Sequence, residues 1–182
     1  MIVASPEQPE FSRPVQVSQL PARVSRQAIA AEPAERHALV GRLGLIELKS
    51  LSASLSLELL GGGLVRVNGQ LTAKVVQACV VTLAPLEAVV EDEFEVTFGP
   101  PDVELDTGNE IELSWESEDP PDPIVDGCID LGEVVVEHLA LALDPFPRAP
   151  GAVFEPPKEQ DDVPDGKPNP FAALAALRRK KE

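Results

Sequence analysis

Tyrosine is absent from this 182-residue chain, tryptophan and methionine occur once each, and cysteine and histidine twice each. That leaves few of the side chains that usually serve as nucleophile, general base or soft metal ligand. There is no G-x-S-x-G, no H-E-x-x-H, no Walker-type loop and no dinucleotide-binding fingerprint. Carboxylates are plentiful, but they lie in stretches expected to be exposed, where nothing sets their protonation states apart. The chain is therefore read as a non-enzyme, with no cofactor and no metal site. No apolar run approaches the ~18–20 residues of a membrane span. The opening M-I-V-A-S-P-E-Q-P-E lacks the positive start and apolar centre of a signal peptide. A cytoplasmic location is expected, with Cys79 and Cys128 as two reduced, core-facing thiols rather than a disulfide.

Basic residues are the other shortage. Lys and Arg number 15 against 31 Asp and Glu, for a formal net charge of −16. Unaided binding to a nucleic-acid backbone needs clustered cations, so a DNA-binding function is excluded and a basic partner is the natural counterpart. The acid is segregated: residues 85–165 hold 24 Asp and Glu against 2 Lys and Arg, while residues 1–84 are close to balanced. Such a half is either a solvated face or an acidic docking surface.

What is present is aliphatic and periodic. Phe11 to Leu20 alternates around Val15 and Val17, which predicts an edge strand that tolerates Pro14. A short helix is expected near Pro33, with Leu39, Val40 and Leu43 on one face and Gly44 at its stop; His37 falls on its surface. Alternation from Leu51 to Leu59 and from Val65 to Val75 predicts an antiparallel hairpin turning at Gly61-Gly62-Gly63. A strand, not a helix, follows those glycines, which argues against a phosphate-binding loop. V-V-Q-A-C-V-V-T-L-A-P-L breaks the alternation, as a doubly buried or bulged strand would, and Glu87–Phe98 resumes it. The acidic, proline-rich stretch that follows is expected to be a loop with one docked segment around Trp115.

Residues 127–150 are the stretch on which the reading turns. Asp130 and Glu133 form a capping-box variant. From Leu131 to Leu143 the apolar residues, with His138 among them, sweep most of the helix circumference and leave Glu133, Glu137 and Ala140 for water. Asp144-Pro145 ends the helix. The expected fold is α+β: an antiparallel sheet packed against one long buried helix, with short flanking helices, all within residues 1–154. Residues 155–168 read as a disordered acidic, proline-rich linker. In residues 169–182, Asn169 and Pro170 start a short helix that presents Phe171, Leu174 and Leu177 and ends in Arg178, Arg179, Lys180 and Lys181.

Three strings in this order, V-Q-A-C-V-V-T-L-A-P-L, I-D-L-G-E-V-V-V-E-H-L-A-L-A-L-D-P-F-P and N-P-F-A-A-L-A-A-L, resemble the YceD family, named for large ribosomal RNA subunit accumulation protein. D-P-F-P-R-A-P-G is most similar to its alphaproteobacterial branch. The resemblance implies a bacterial cytoplasmic protein needed for large-subunit ribosomal RNA to accumulate, through its synthesis, processing or stability, and it implies no catalytic residues. Many members carry Cys-x-x-Cys in the first string and a further Cys beyond the helix, a plausible metal or redox set. Here Cys79 keeps the first place, Thr82 stands in the second, and Phe146–Phe154 contains no cysteine, so a metal site is not carried over.

The combined expectation is a non-catalytic ribosome-biogenesis factor. Its acidic residues Glu91, Asp92, Glu93, Asp102, Glu104 and Asp106 steer on a basic ribosomal protein or a protein–RNA precursor of the large subunit. Phe171, Leu174 and Leu177 dock, and Arg178, Arg179, Lys180 and Lys181 touch RNA phosphate. The alternatives are a metal-dependent RNA-processing enzyme or cofactor whose carboxylates hold Mg²⁺, and a chaperone-like acidic shield for a basic ribosomal protein.

Overall fold

Period-two burial dominates the molecule. The computed structural model describes residues 9–100 and 120–154, and strand accounts for 45% of the structure against 23% helix. The segment around Trp115, the linker expected over residues 155–168 and the helix expected over 169–182 lie outside the described residues. Strands β2 (Ser25–Ala30), β3 (Glu47–Leu59), β4 (Val65–Ala78), β5 (Pro85–Gly99) and β6 (Asp122–Pro123) form one sheet in that order, antiparallel except for the short β5–β6 pair. β1 (Pro14–Gln16) and β7 (Cys128–Asp130) make a separate two-stranded sheet. Among the described residues the α-helices are α1 (Pro33–Leu43) and α2 (Leu131–Ala142).

Sequence dictates which face of the large sheet is buried. In β3, Leu51, Ala53, Leu55 and Leu57 point inward while Ser52, Ser54 and Ser56 point out. In β4, Val65, Val67, Leu71, Ala73 and Val75 join them, opposite an outer row of Arg66, Asn68, Gln70, Thr72 and Lys74. A fully buried Leu or Val is worth about 1.5–3 kcal/mol, whereas an exposed, solvent-screened ion pair such as Lys49–Glu87 adds little. The inner face therefore holds the fold. The broken alternation after Val75 has a structural counterpart: the β3–β4 register shifts between Leu48 and Ser50, and Val75 and Val76 are both buried. The adjacent residues point to opposite faces, which a regular half-buried strand does not allow.

The expected arrangement of a sheet against one long buried helix is overturned. Among the described residues the chain is mainly a long-stranded sheet, with two α-helices of 11 and 12 residues. A helix of that length spans about 18 Å, too short to cover strands of 13 to 15 residues. The helix is also less engulfed than its composition predicts: Leu131, Val135, Val136 and Leu139 are buried, but Leu141 is 75% exposed. Counting apolar residues around the wheel measures hydrophobicity and not how much surface the neighbours supply. Phe11 to Leu20 likewise contributes only three residues of strand, paired to β7 rather than to the edge of the large sheet.

Both helix starts follow their signals. α1 has Pro33 in its first turn, a reciprocal capping box between Glu32 and Glu35, and Gly44 in the left-handed conformation at its end. At α2 a single carboxylate does more. Asp130 Oδ1 accepts the backbone N–H of Gly132 at 2.9 Å, of Glu133 at 3.4 Å and of Arg13 at 2.7 Å, and Ser12 donates its hydroxyl to Oδ2. Arg13 in turn grips Glu35 of α1 with two hydrogen bonds, at 2.7 and 2.9 Å. Gly132 packs so tightly on the incoming chain that a Cβ there would overlap the Phe11 carbonyl.

Two variants test this junction in denaturant unfolding. Asp130→Ala is expected to lose about 2 kcal/mol, the upper end for a lost helix cap, because the Arg13 donor is orphaned too. Gly132→Ala gains up to about 1 kcal/mol in helix propensity, but it must displace backbone. A net loss of roughly 1–3 kcal/mol is expected, and a stabilised variant would contradict the packing described.

Candidate functional site

Strand β5 carries the described part of the acidic set, and its pairing with β4 sorts the carboxylates by face. Glu91, Glu93 and Glu95 stand opposite Thr72, Gln70 and Asn68 on the outer face, whereas Asp92 stands opposite Leu71 on the inner one. Gln70 Nε2 donates to Glu93 Oε1 at 2.9 Å, and Arg66 Nε lies 3.4 Å from Glu95 Oε1. Of the acidic residues expected to act together, Glu91 and Glu93 share a surface and Asp92 is turned away from both. Asp102, Glu104 and Asp106 lie outside the described residues, as do Phe171, Leu174, Leu177, Arg178, Arg179, Lys180 and Lys181. Glu95 belongs with Glu91 and Glu93, and strict alternation through E-D-E-F-E would have placed it there.

On the inner face, Asp92 meets α2. Its Oδ2 is 3.7 Å from His138 Nδ1, and the imidazole stacks on Phe94 with centroids 3.9 Å apart and planes 6° from parallel. Phe94 in turn lies over Gly69, where any side chain would collide with its ring. The bare glycine of β4 is thus covered by an aromatic from the neighbouring strand, which restores the packing that a glycine in a strand forfeits. His138 is partly buried and packs on Phe94, and among the described residues it belongs to no group of three potential metal ligands.

Two concavities border β5. A groove of about 730 Å³ lies on the outer face, floored by Ser54, Ser56 and Asn68, with Arg26 on one side and Glu93 and Glu95 on the other. A cleft of about 570 Å³ opens on the inner side between β5 and α2, with Val96, Phe98, Val134 and Leu141 among its walls and His138 and Glu137 at its polar margin.

The cysteines behave differently from each other. Cys128 is partly exposed and its Sγ accepts Gln16 Nε2 at 2.8 Å. Cys79 is buried at the end of β4, where its Sγ accepts the backbone N–H of Thr82 at 3.5 Å and of Ala149 at 3.2 Å. Val80 N–H also bonds Pro147 O, and Cys79 N–H bonds Ala84 O. The β4–β5 turn and the segment after α2 therefore converge on one sulfur. The Thr82 hydroxyl, then the Ala149 and Thr82 amides, favour the thiolate over burial and bring the Cys79 pKa down to about 6. This shell consists of hydrogen-bond donors, and a metal needs electron-pair donors instead. The residues around Cys79 do not fit a metal, and among the described residues no group of three His, Cys, Asp or Glu comes together elsewhere. Thr82 in the place of a second cysteine was the sequence signal, although it did not reveal that Ala149 supplies the third contact.

The family model described as large ribosomal RNA subunit accumulation protein YceD matches residues 67–178, from β4 through α2 and onward. No curated protein and no solved structure matches the chain. The matched span includes the Cys79 joint, whose charge has a consequence for stability. A thiol ordinarily titrates near 8.5; one lowered to about 6 in the folded chain binds fewer protons than its unfolded counterpart at intermediate pH, so stability rises with pH there. This contribution is full above the unfolded value and is lost as pH falls through about 6. Denaturant unfolding across that window should show a gap between the wild-type protein and Cys79→Ala that widens toward alkaline pH. Parallel profiles would remove the thiolate from the account.

Proposed function

Since the chain belongs to the YceD family, we propose that it is a non-catalytic assembly factor of the large ribosomal subunit, acting in the cytoplasm so that the subunit's RNA accumulates. The match over residues 67–178 carries this reading, because it takes in the strand, the helix and the terminal segment together. The family is named for accumulation of the large-subunit RNA; synthesis, processing and stability of that RNA are the steps through which an assembly factor acts.

The divergence of the β5 carboxylates favours a binding role over a magnesium-dependent one. A metal-assisted hydrolytic site needs carboxylates that converge, whereas Glu91 and Glu93 face away from Asp92. The direct partner in this reading is a basic ribosomal protein, free or within a protein–RNA precursor. Glu91 and Glu93, with Asp102, Glu104 and Asp106, draw it on electrostatically. Phe171, Leu174 and Leu177 dock on the particle, and Arg178, Arg179, Lys180 and Lys181 contact RNA phosphate.

Affinity capture of the tagged protein from lysed cells, with and without ribonuclease, tests this. Large-subunit precursor RNA should co-purify and disappear on ribonuclease treatment, and deletion of residues 169–182 should reduce its recovery. A single basic ribosomal protein surviving ribonuclease would favour the shield over the particle-bound factor, and the absence of any ribosomal component would overturn the assignment.

A further inference from the structure

β5 is half paired. One side bonds to β4 from end to end, but on the other only Phe98 and Gly99 meet β6. Among the described residues, no strand pairs with that side from Pro85 to Thr97. Every second residue there directs its backbone N–H and C=O away from the sheet, a template for another strand.

The surfaces on either side of this edge differ in chemistry. Above it, Glu91, Glu93 and Glu95 follow one another every second residue, roughly 7 Å apart, beside the serine-floored groove. Below it lies the cleft with Val96, Val134 and the largely exposed Leu141. A strand added here would send alternate side chains into these two environments.

We propose that the free side of β5 accepts an extended segment of a basic protein partner as an added strand, its Lys or Arg side chains facing Glu91, Glu93 and Glu95 and its intervening apolar side chains entering the cleft against α2. This inference rests on the reading of the chain as a factor with a basic ribosomal partner, and it names how that partner is held: by backbone bonds for affinity and by alternation for specificity. Charge complementarity selects the occupant. A second copy pairing through the same edge would bring glutamate rows together, which is unfavourable. Residues 101–119 of the chain itself contain no Lys or Arg. RNA phosphate would be repelled by the same row. Edge strands are commonly guarded by charge, but glutamates confined to one face exclude acidic strands and admit basic ones.

The test uses the full-length protein and labelled synthetic peptides long enough to span the edge, one alternating arginine with valine and one alternating glutamate with valine. Two further arginine–valine peptides carry N-methyl groups on alternate amides, in opposite phase. The basic peptide should bind and the acidic one should not. Only the N-methylated phase that leaves the edge-facing amides intact should still bind, and amide exchange over residues 87–96 should slow in the complex. A Glu91→Lys, Glu93→Lys variant should weaken binding about tenfold or more; Glu91→Gln, Glu93→Gln, which introduces no repulsion, should show a smaller loss in the same direction.

No binding of the basic peptide, equal binding of the acidic one, or binding that survives both N-methylation phases would overturn the proposal. The ribonuclease-controlled capture is read separately. Large-subunit RNA captured by a protein whose edge ignores the peptides would leave the assembly reading standing and remove the strand addition. Peptide bound at the edge with no ribosomal component captured would do the reverse.

Discussion

One carboxylate holds three parts of this molecule together. Asp130 ends β7, caps α2 and receives the Arg13 amide from the entering chain. Because Arg13 then clasps Glu35 at the start of α1, the positions of both helices depend on the same node. The node is reinforced on its far side, where Arg42 of α1 bonds Glu133 of α2 at 2.9 and 2.8 Å and also reaches Glu10. Had α2 entered at another angle, Val134, His138 and Leu141 would not stand beside β5, and the inner cleft would be lost. The stringency comes from backbone contact: Gly132 leaves no room for slippage against Phe11.

The second constraint is the pleat of β5. Its alternation turns a simple run of acids into two unrelated surfaces, with Glu91, Glu93 and Glu95 outward over a polar groove and Asp92 inward beside His138. Charge alone would describe that run as a single negative patch. Pairing with β4 makes the outer row a ladder of regular spacing, braced by Gln70 and Arg66. A ladder can recognise a pattern, whereas a diffuse patch recognises only sign.

The elements written in local chemistry were legible in the sequence. Leu51–Leu59 and Val65–Val75 declared their alternation, Gly61 to Gly63 their turn, Pro33 and Gly44 the ends of α1, and Asp130 the start of α2. Architecture was less so. Whether Leu131–Leu143 would be wrapped or merely seated depends on how much sheet lies around it, and no residue of the helix encodes that. The β1–β7 pair joins residues more than a hundred positions apart, beyond the reach of any local pattern. At the functional surfaces, alternation through Glu91–Glu95 already implied their division between faces, but the approach of Ala149 to Cys79 emerges only when distant segments meet.

The joint at Cys79 fastens two distant segments at a single atom. It ties the β4–β5 turn to the segment after α2 through the Thr82 hydroxyl and the Thr82 and Ala149 amides, all directed at one sulfur. A fastening of this kind is governed by proton concentration, and it grips the two segments most firmly where the thiol is ionised.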